Sequence, residues 1–213
     1  TGQTDFAVGS PVAGRTQPEL EPLIGLFVNT LVLRADVSPE LDFPALVRRV
    51  RARTLRAYDR QEAPFEQVVE AVNPERTVSR PPLFQVLFTV QNMPRAIFAE
   101  ESLQVEPVEV PVTRSKFDLS LFVIERAEGG LGLSLEYNRD LFEPATAERF
   151  LARYATLLAA IAVAPKSRVD ALSWIGDDER EMLAGWSAAT RPYPSGPWVH
   201  RSAETQPAGA PAI

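Results

Sequence analysis

The sequence predicts an α+β domain in which a mixed β-sheet packs with α-helices, and three observations point there. Apolar residues alternate through "KFDLSLFVIE" (116–125) and "LGLSLEY" (131–137), two runs separated by a turn at Gly129 and Gly130, which predicts an antiparallel hairpin. Elsewhere, residues 43–58 and 144–164 carry apolar side chains at helical spacing. Strand-like and helix-like stretches are interleaved along the chain, as expected of a layered domain with both elements.

The elements follow in order. "DFAVGSPVAGR" (5–15) reads as a strand running into a Gly/Pro turn. A polar connection with two prolines, "TQPELEPLIG", leads into a second strand over 26–34. Phe43, Leu46, Val47, Val50, Thr54 and Tyr58 share one side of a helix, with Asp42 as N-cap and Pro44 in the first turn. Arg49, Arg53 and Arg56 share another side. A second helix starts at Pro64, on Phe65, Val68, Val69 and Val72. "PLFQVLFTVQN" (82–92) is strand-like, and 94–116, with three prolines, predicts an edge strand plus loop. After the hairpin, Ala147, Phe150, Leu151, Tyr154, Leu157, Leu158 and Ile161 form the buried stripe of a long helix. From Pro165 the composition shifts toward a linker with a short helix around "DDEREMLAGW", in which Trp174 and Trp186 are expected to pack back onto the main body. The proline-rich remainder is expected to be extended or disordered. The expected division is 1–164 and 165–213.

Composition excludes several function classes. A net charge of −6 argues against nucleic-acid binding through a basic surface. The chain has no cysteine, which removes disulfides, thiolate metal sites and a cysteine nucleophile, and agrees with a cytoplasmic location. The most apolar helical run, "ATLLAAIAVA", is too short to span a bilayer, so no membrane role is expected. The single histidine, His200, lies in the proline-rich tail, so the folded part offers no imidazole for acid–base work. A Ser-His-Asp triad and a Gly-x-Ser-x-Gly elbow are both absent. No catalytic residue and no metal site is assigned within this chain. It opens on Thr1, not methionine, and reads as an excerpt or a processed product.

Four ordered blocks then carry a resemblance: "TDFAVGSPVAGR", "IGLFVNTLVLR", "RQEAPFEQVVE" and "ERTVSRPPLFQV", with "KFDLSL" and "LEYNRDLF" behind them. Together they resemble the C-terminal lobe of the condensation domain of non-ribosomal peptide synthetases. The resemblance covers about residues 1–163, and 165–200 is similar to the linker into a following adenylation domain, whose start here looks truncated. Arg60 and Glu62 stand where the family usually has histidine and aspartate, and Thr77 where aspartate is usual.

The resemblance implies a chloramphenicol-acetyltransferase-like lobe, one half of a two-lobed domain with a channel between the lobes. It implies peptide-bond formation between thioesters held on the phosphopantetheine of donor and acceptor peptidyl carrier proteins, with no cofactor bound directly. The implied partners are the N-terminal lobe, the two carriers and the adjacent adenylation domain. The family's His-His-x-x-x-Asp-Gly motif belongs to the N-terminal lobe and is absent here, so the fragment alone is expected to be inactive.

Two readings of Asn29 stand side by side. From its strand alone, sharing a face with Phe27, Leu31 and Leu33, it is a buried amide bonded to neighbouring backbone. From the resemblance, Asn29 and Ser10 line the channel, where a carboxamide both donates and accepts without titrating. The resemblance also implies that Arg15, after the turn made by Gly9, Pro11 and Gly14, is a structural anchor bonding carbonyls or a carboxylate, with Asp5 as a candidate partner. The cluster Arg48, Arg49, Arg51, Arg53 and Arg56 reads as a solvated helix face more readily than as a docking surface for an acidic carrier. Phe65 and Phe84 are expected in the core. Two alternatives remain at this stage: a non-enzymatic module that docks carriers, and an epimerase-type relative of the same fold.

Overall fold

The computed structural model describes residues 2–74, 81–91, 108, 114–126 and 129–188. Their elements run β1 (Asp5–Val12), β2 (Asn29–Asp36), α1 (Phe43–Tyr58), α2 (Phe65–Val72), β3 (Val86–Gln91), β4 (Leu119–Glu125), β5 (Leu131–Tyr137), α3 (Pro144–Val163) and α4 (Asp177–Ser187). The strands form one sheet in the order β2-β1-β3-β4-β5. Its outer pairs β1·β2 and β4·β5 are antiparallel, and β3 runs parallel to both β1 and β4. The sheet is therefore mixed, and the hairpin predicted around Gly129 and Gly130 is its β4–β5 edge, with both glycines at positive φ. Most of the stretch expected as an edge strand and loop, 94–116, lies outside the described residues, as do Thr77, His200 and the proline-rich tail.

Strand lengths differ from expectation where partners run out. β1 stops at Val12, because the chain turns away through Gly14 at φ +67. β2 can pair only as far as β1 extends, so it begins at Asn29, opposite Val12, and not at residue 26. Residues 23–28, apolar enough to read as strand, are left without a ladder. At the free side of β2, α1 lies close by, and Arg53 donates to the carbonyl of Arg34 (3.1 Å) while Arg49 donates to that of Asp36 (3.3 Å). Two members of the arginine cluster thus occupy edge carbonyls that would otherwise invite a further strand.

α1 begins where the sequence places it. The Asp42 carboxylate accepts from the Ala45 amide at 2.6 Å, and Pro44 occupies the first turn, where its missing N–H costs nothing. Asp42→Ala is expected to lower stability by about 0.5–2 kcal/mol, measured by urea unfolding, with the loss concentrated in the first turn of α1.

The core centres on Phe84, which is 1% exposed. Its ring meets Phe65 of α2 edge-on (centroids 5.7 Å apart) and stacks on Phe117 at 5.2 Å. Leu83, at φ +69, makes the tight turn that delivers Phe84, with the Phe84 amide bonded to the Pro82 carbonyl at 2.9 Å. Gly9 of β1 completes the seat: a Cβ there would lie 2.1 Å from the Phe84 ring. At the opposite edge of the sheet from β2, α3 packs near β5 and buries Ala147, while Phe150 at the stripe's margin is partly exposed and meets Phe142 edge-on.

The first compact unit closes at Gly176, twelve residues beyond the expected boundary at 164. The reason is backbone pairing. Ser167 accepts from Phe43, and the amides of Val169 and Asp170 donate to the carbonyls of Leu41 and Pro39 at 2.8 and 3.2 Å. Leu172 is buried, and the Arg153 guanidinium sits 5.0 Å over the Trp174 ring. α4, with an exposed Trp186, belongs to a second unit starting at Asp177.

Candidate functional site

The strand ends Val12 and Asn29 face each other across the β1·β2 ladder, and Ser10 faces Leu31. Alternation then puts Ser10, Val12, Asn29 and Leu31 on one face of the sheet, with Ser10 and Asn29 as diagonal neighbours. Leu31 is buried, while Ser10 and Asn29 are half-buried.

Asn29 is fully engaged by backbone. Its Nδ2 donates to the carbonyls of Gln61 and Ala63, both at 2.8 Å. Its Oδ1 accepts from the Phe65 amide at 3.1 Å and from the Thr30 amide at 2.9 Å. The cause is legible at the start of α2. The N-cap position there is Pro64, which has no side-chain oxygen to offer the first free amide of the helix. Asn29, 36 residues upstream, supplies that oxygen and so caps α2 from a neighbouring strand. The same amide holds the turn at 61–63. Sequence reasoning found Asn29 but not these partners; a helix opening on proline with no capping residue was the available signal.

Arg15 sits in the loop after β1, at the same end of the sheet. Its guanidinium donates to the Leu20 and Glu21 carbonyls, the latter at 3.3 Å, and lies 4.3 Å over the Phe27 ring. Gly14 permits this closeness, since a Cβ there would come within 1.8 Å of the Phe27 carbonyl oxygen. Asp5 is not its partner. Asp5 begins β1, so it stands about 23 Å along the strand from Val12 at 3.3 Å per residue. Its carboxylate is taken by Arg34, whose Nε donates at 2.8 Å and whose Nη2 pairs with the second oxygen. The pairing expected between Asp5 and Arg15 is therefore replaced by a cross-strand pair at the opposite end of the ladder.

The Arg34 guanidinium, donating directly to it, holds the Asp5 carboxyl below its ordinary value. With the folded value depressed, the pair's contribution to stability is present above the unfolded carboxylate value and fades as pH falls through the folded one. Because both side chains are exposed, the effect on stability is expected to be small. The check is an NMR titration: the Asp5 carboxyl should titrate below a free aspartate and return to the ordinary value in Arg34→Gln.

Ser10, Asn29 and Arg15 thus cluster at one end of the β1·β2 pair, and Asp5 does not join them. Three clefts among the described residues lie over β3–β5, beside the outer edge of β2 and beneath α1, and Ser10, Asn29 and Arg15 line none of these three. Among the described residues no group of three or more His, Asp or Glu side chains is placed to hold a metal ion, and no helix is long and apolar enough to cross a membrane. What the arrangement offers chemically is shape and fixed hydrogen bonds. The neighbouring backbone already uses the amide of Asn29, and the described residues include no histidine.

Comparison with known proteins gives the following. A family model described as "Condensation domain" matches residues 1–184. A linear gramicidin synthase of Brevibacillus parabrevis is 42% identical over 94% of this chain, a match that takes in 3% of that synthase. Among solved structures, the four-domain nonribosomal peptide synthetase holo-AB3403, bound to AMP and glycine, superposes with a TM-score of 0.76 at 24% identity, over 84% of this chain and 15% of that one. The condensation domain of the monacolin K polyketide synthase MokA superposes at 0.71 and 21% identity, over 79% of this chain and 39% of that one. At these identities the two structures speak to the fold alone.

Proposed function

The chain belongs to the condensation-domain family that nonribosomal peptide synthetases carry, and on that premise we propose that it is the C-terminal lobe of an amide-forming condensation domain. In this reading the reaction joins an acceptor amine to a donor thioester, each held by phosphopantetheine on a peptidyl carrier protein. The carbon–nitrogen bond forms, the carbon–sulfur bond breaks, and the amine's proton ends on the departing thiol. The N-terminal lobe, the two carriers and an adenylation domain beyond the linker are the partners, in the cytoplasm. The family match over residues 1–184 is the observation that carries the reading.

This lobe's own residues would do positional work. Ser10 and Asn29, on one face at one end of the β1·β2 pair, would form part of the channel wall. Asn29 would serve the wall by ordering it, because its carboxamide already holds residues 61–65 and Thr30. Arg15 would fix the loop beside it through the Leu20 and Glu21 carbonyls and the Phe27 ring. The group that assists proton transfer would come from the other lobe.

The experiment is a single-turnover assay with loaded donor and acceptor carriers. The chain alone is expected to give no amide product, and the completed two-lobed domain to give it. Robust product from the chain alone would overturn the half-domain reading, and carrier binding without product from the completed domain would favour a docking module.

A further inference from the structure

We propose that the space beneath α1 and the cleft beside β2 form one binding site for an amphiphilic anion, a medium-chain fatty acid carboxylate whose tail lies under the helix. The proposal goes beyond the half-domain reading and does not depend on it.

The tail end is a chamber of about 280 Å³ between α1 and the sheet. Val8 and Leu33, paired across β1·β2, make its floor together with Val86, Phe88 and Leu121 of β3 and β4. Val50 and Thr54 of α1 roof it. No residue of α1 is fully buried, and Val50 is 46% exposed although it lines this space. The helix therefore stands off these strands, and its own side chains do not fill the gap. An apolar cavity of about 150 Å³ takes up a benzene ring. This chamber has room for a longer hydrocarbon.

The head end is charged. The cleft beside β2 adjoins the chamber, because Leu33, Arg34, Asp36 and Arg53 line both. Asp5 and Arg56 also line the cleft. Arg34 takes the Asp5 carboxylate, and Arg53 and Arg49 share that of Asp36 at 3.2 and 3.4 Å. Arg56 is left over. Among the described residues its guanidinium makes no hydrogen bond or ion pair. An unanswered cation thus stands beside an apolar chamber, and the two together select the ligand. A neutral hydrocarbon would leave Arg56 unpaired, and acetate or phosphate would leave the chamber unfilled. A polyanion would meet Asp5 and Asp36 in the same cleft. One carboxylate on an alkyl chain satisfies both ends. The tail supplies most of the affinity, since it takes apolar area out of water, while the exposed ion pair adds less and sets the direction of entry.

The test titrates the full chain with octanoate at neutral pH, below its micelle-forming concentration, with octanol and acetate as comparisons. Calorimetry is expected to show saturable, one-to-one octanoate binding, weaker octanol binding and none of acetate. Amide NMR shifts on adding octanoate should centre on Val50, Thr54, Phe88 and Leu121. Val50→Phe, which places a ring in the chamber, is expected to weaken octanoate and octanol alike by about tenfold, the equivalent of two methylenes kept out. Arg56→Gln should weaken octanoate severalfold and leave octanol unchanged. Should Val50→Phe melt below wild type, Thr54→Leu narrows the same space from the next turn and is expected to weaken both probes. No saturable octanoate binding, or binding that neither Val50→Phe nor Thr54→Leu affects, overturns the site. Octanol binding as tightly as octanoate, with Arg56→Gln without effect, overturns the choice of an anion.

Discussion

Phe84→Ala is expected to destabilise the protein by about 3–5 kcal/mol, the range for a fully buried phenylalanine whose cavity cannot close. The cavity should persist because its walls are held separately. Phe65 is fixed by α2, Phe117 precedes β4, and Gly9 lies within the β1 ladder. Urea unfolding measures the effect, and a loss below about 1 kcal/mol would show that these walls collapse freely, contrary to a rigidly packed core. The opposite change tests the same contact. Gly9→Ala puts a methyl 2.1 Å from the ring, so the ring or the strand must move, at an expected cost of about 1–3 kcal/mol. Combined with Phe84→Leu, which shortens the side chain, Gly9→Ala should cost less than the sum of the two single changes, because the partners share one space.

How much of this was legible beforehand depends on whether the cause is local. α1 was read to the residue because its signals lie within one turn: Asp42 to cap, Pro44 to open, and an apolar stripe behind them. The β4–β5 hairpin was legible for the same reason, since alternation and the two glycines sit side by side in sequence. The start of β2 was not. Residues 26–28 have every local preference for strand, but a strand needs a neighbour, and β1 has already turned away at Gly14. Nor could spacing reveal that Ser167, Val169 and Asp170 pair with Phe43, Leu41 and Pro39, a contact between segments more than 120 positions apart. In the site, Arg15 was expected as an anchor from the resemblance alone, and its partners, the Leu20 and Glu21 carbonyls and the Phe27 ring, lie within a loop whose shape no local spacing specifies. The carboxylate considered for it, Asp5, is at the wrong end of a straight strand.

Asn29 carries the other large expected effect. A carboxamide has two N–H donors and two acceptor lone pairs, and here all four are used, three of them on the turn and helix start at 61–65. Asn29→Ala strands the carbonyls of Gln61 and Ala63 and the amide of Phe65, at about 1–3 kcal/mol, toward the lower figure because water reaches part of this region. The local signature is sharper than the global one. In Ala the Phe65 amide should lose hydrogen-exchange protection, whereas Asn29→Asp keeps an acceptor for it and should preserve that protection while releasing the carbonyls at 61 and 63. On the half-domain reading proposed above, these variants in a completed two-lobed domain would also separate two ways in which Asn29 could serve a channel wall. If Asn29 acts by holding the wall, condensation should fall in step with the loss of order at 61–65, with Asp less impaired than Ala. If its amide instead contacted substrate, one of the four protein bonds would have to break. Condensation would then fall equally in Ala and Asp, whatever the exchange at Phe65.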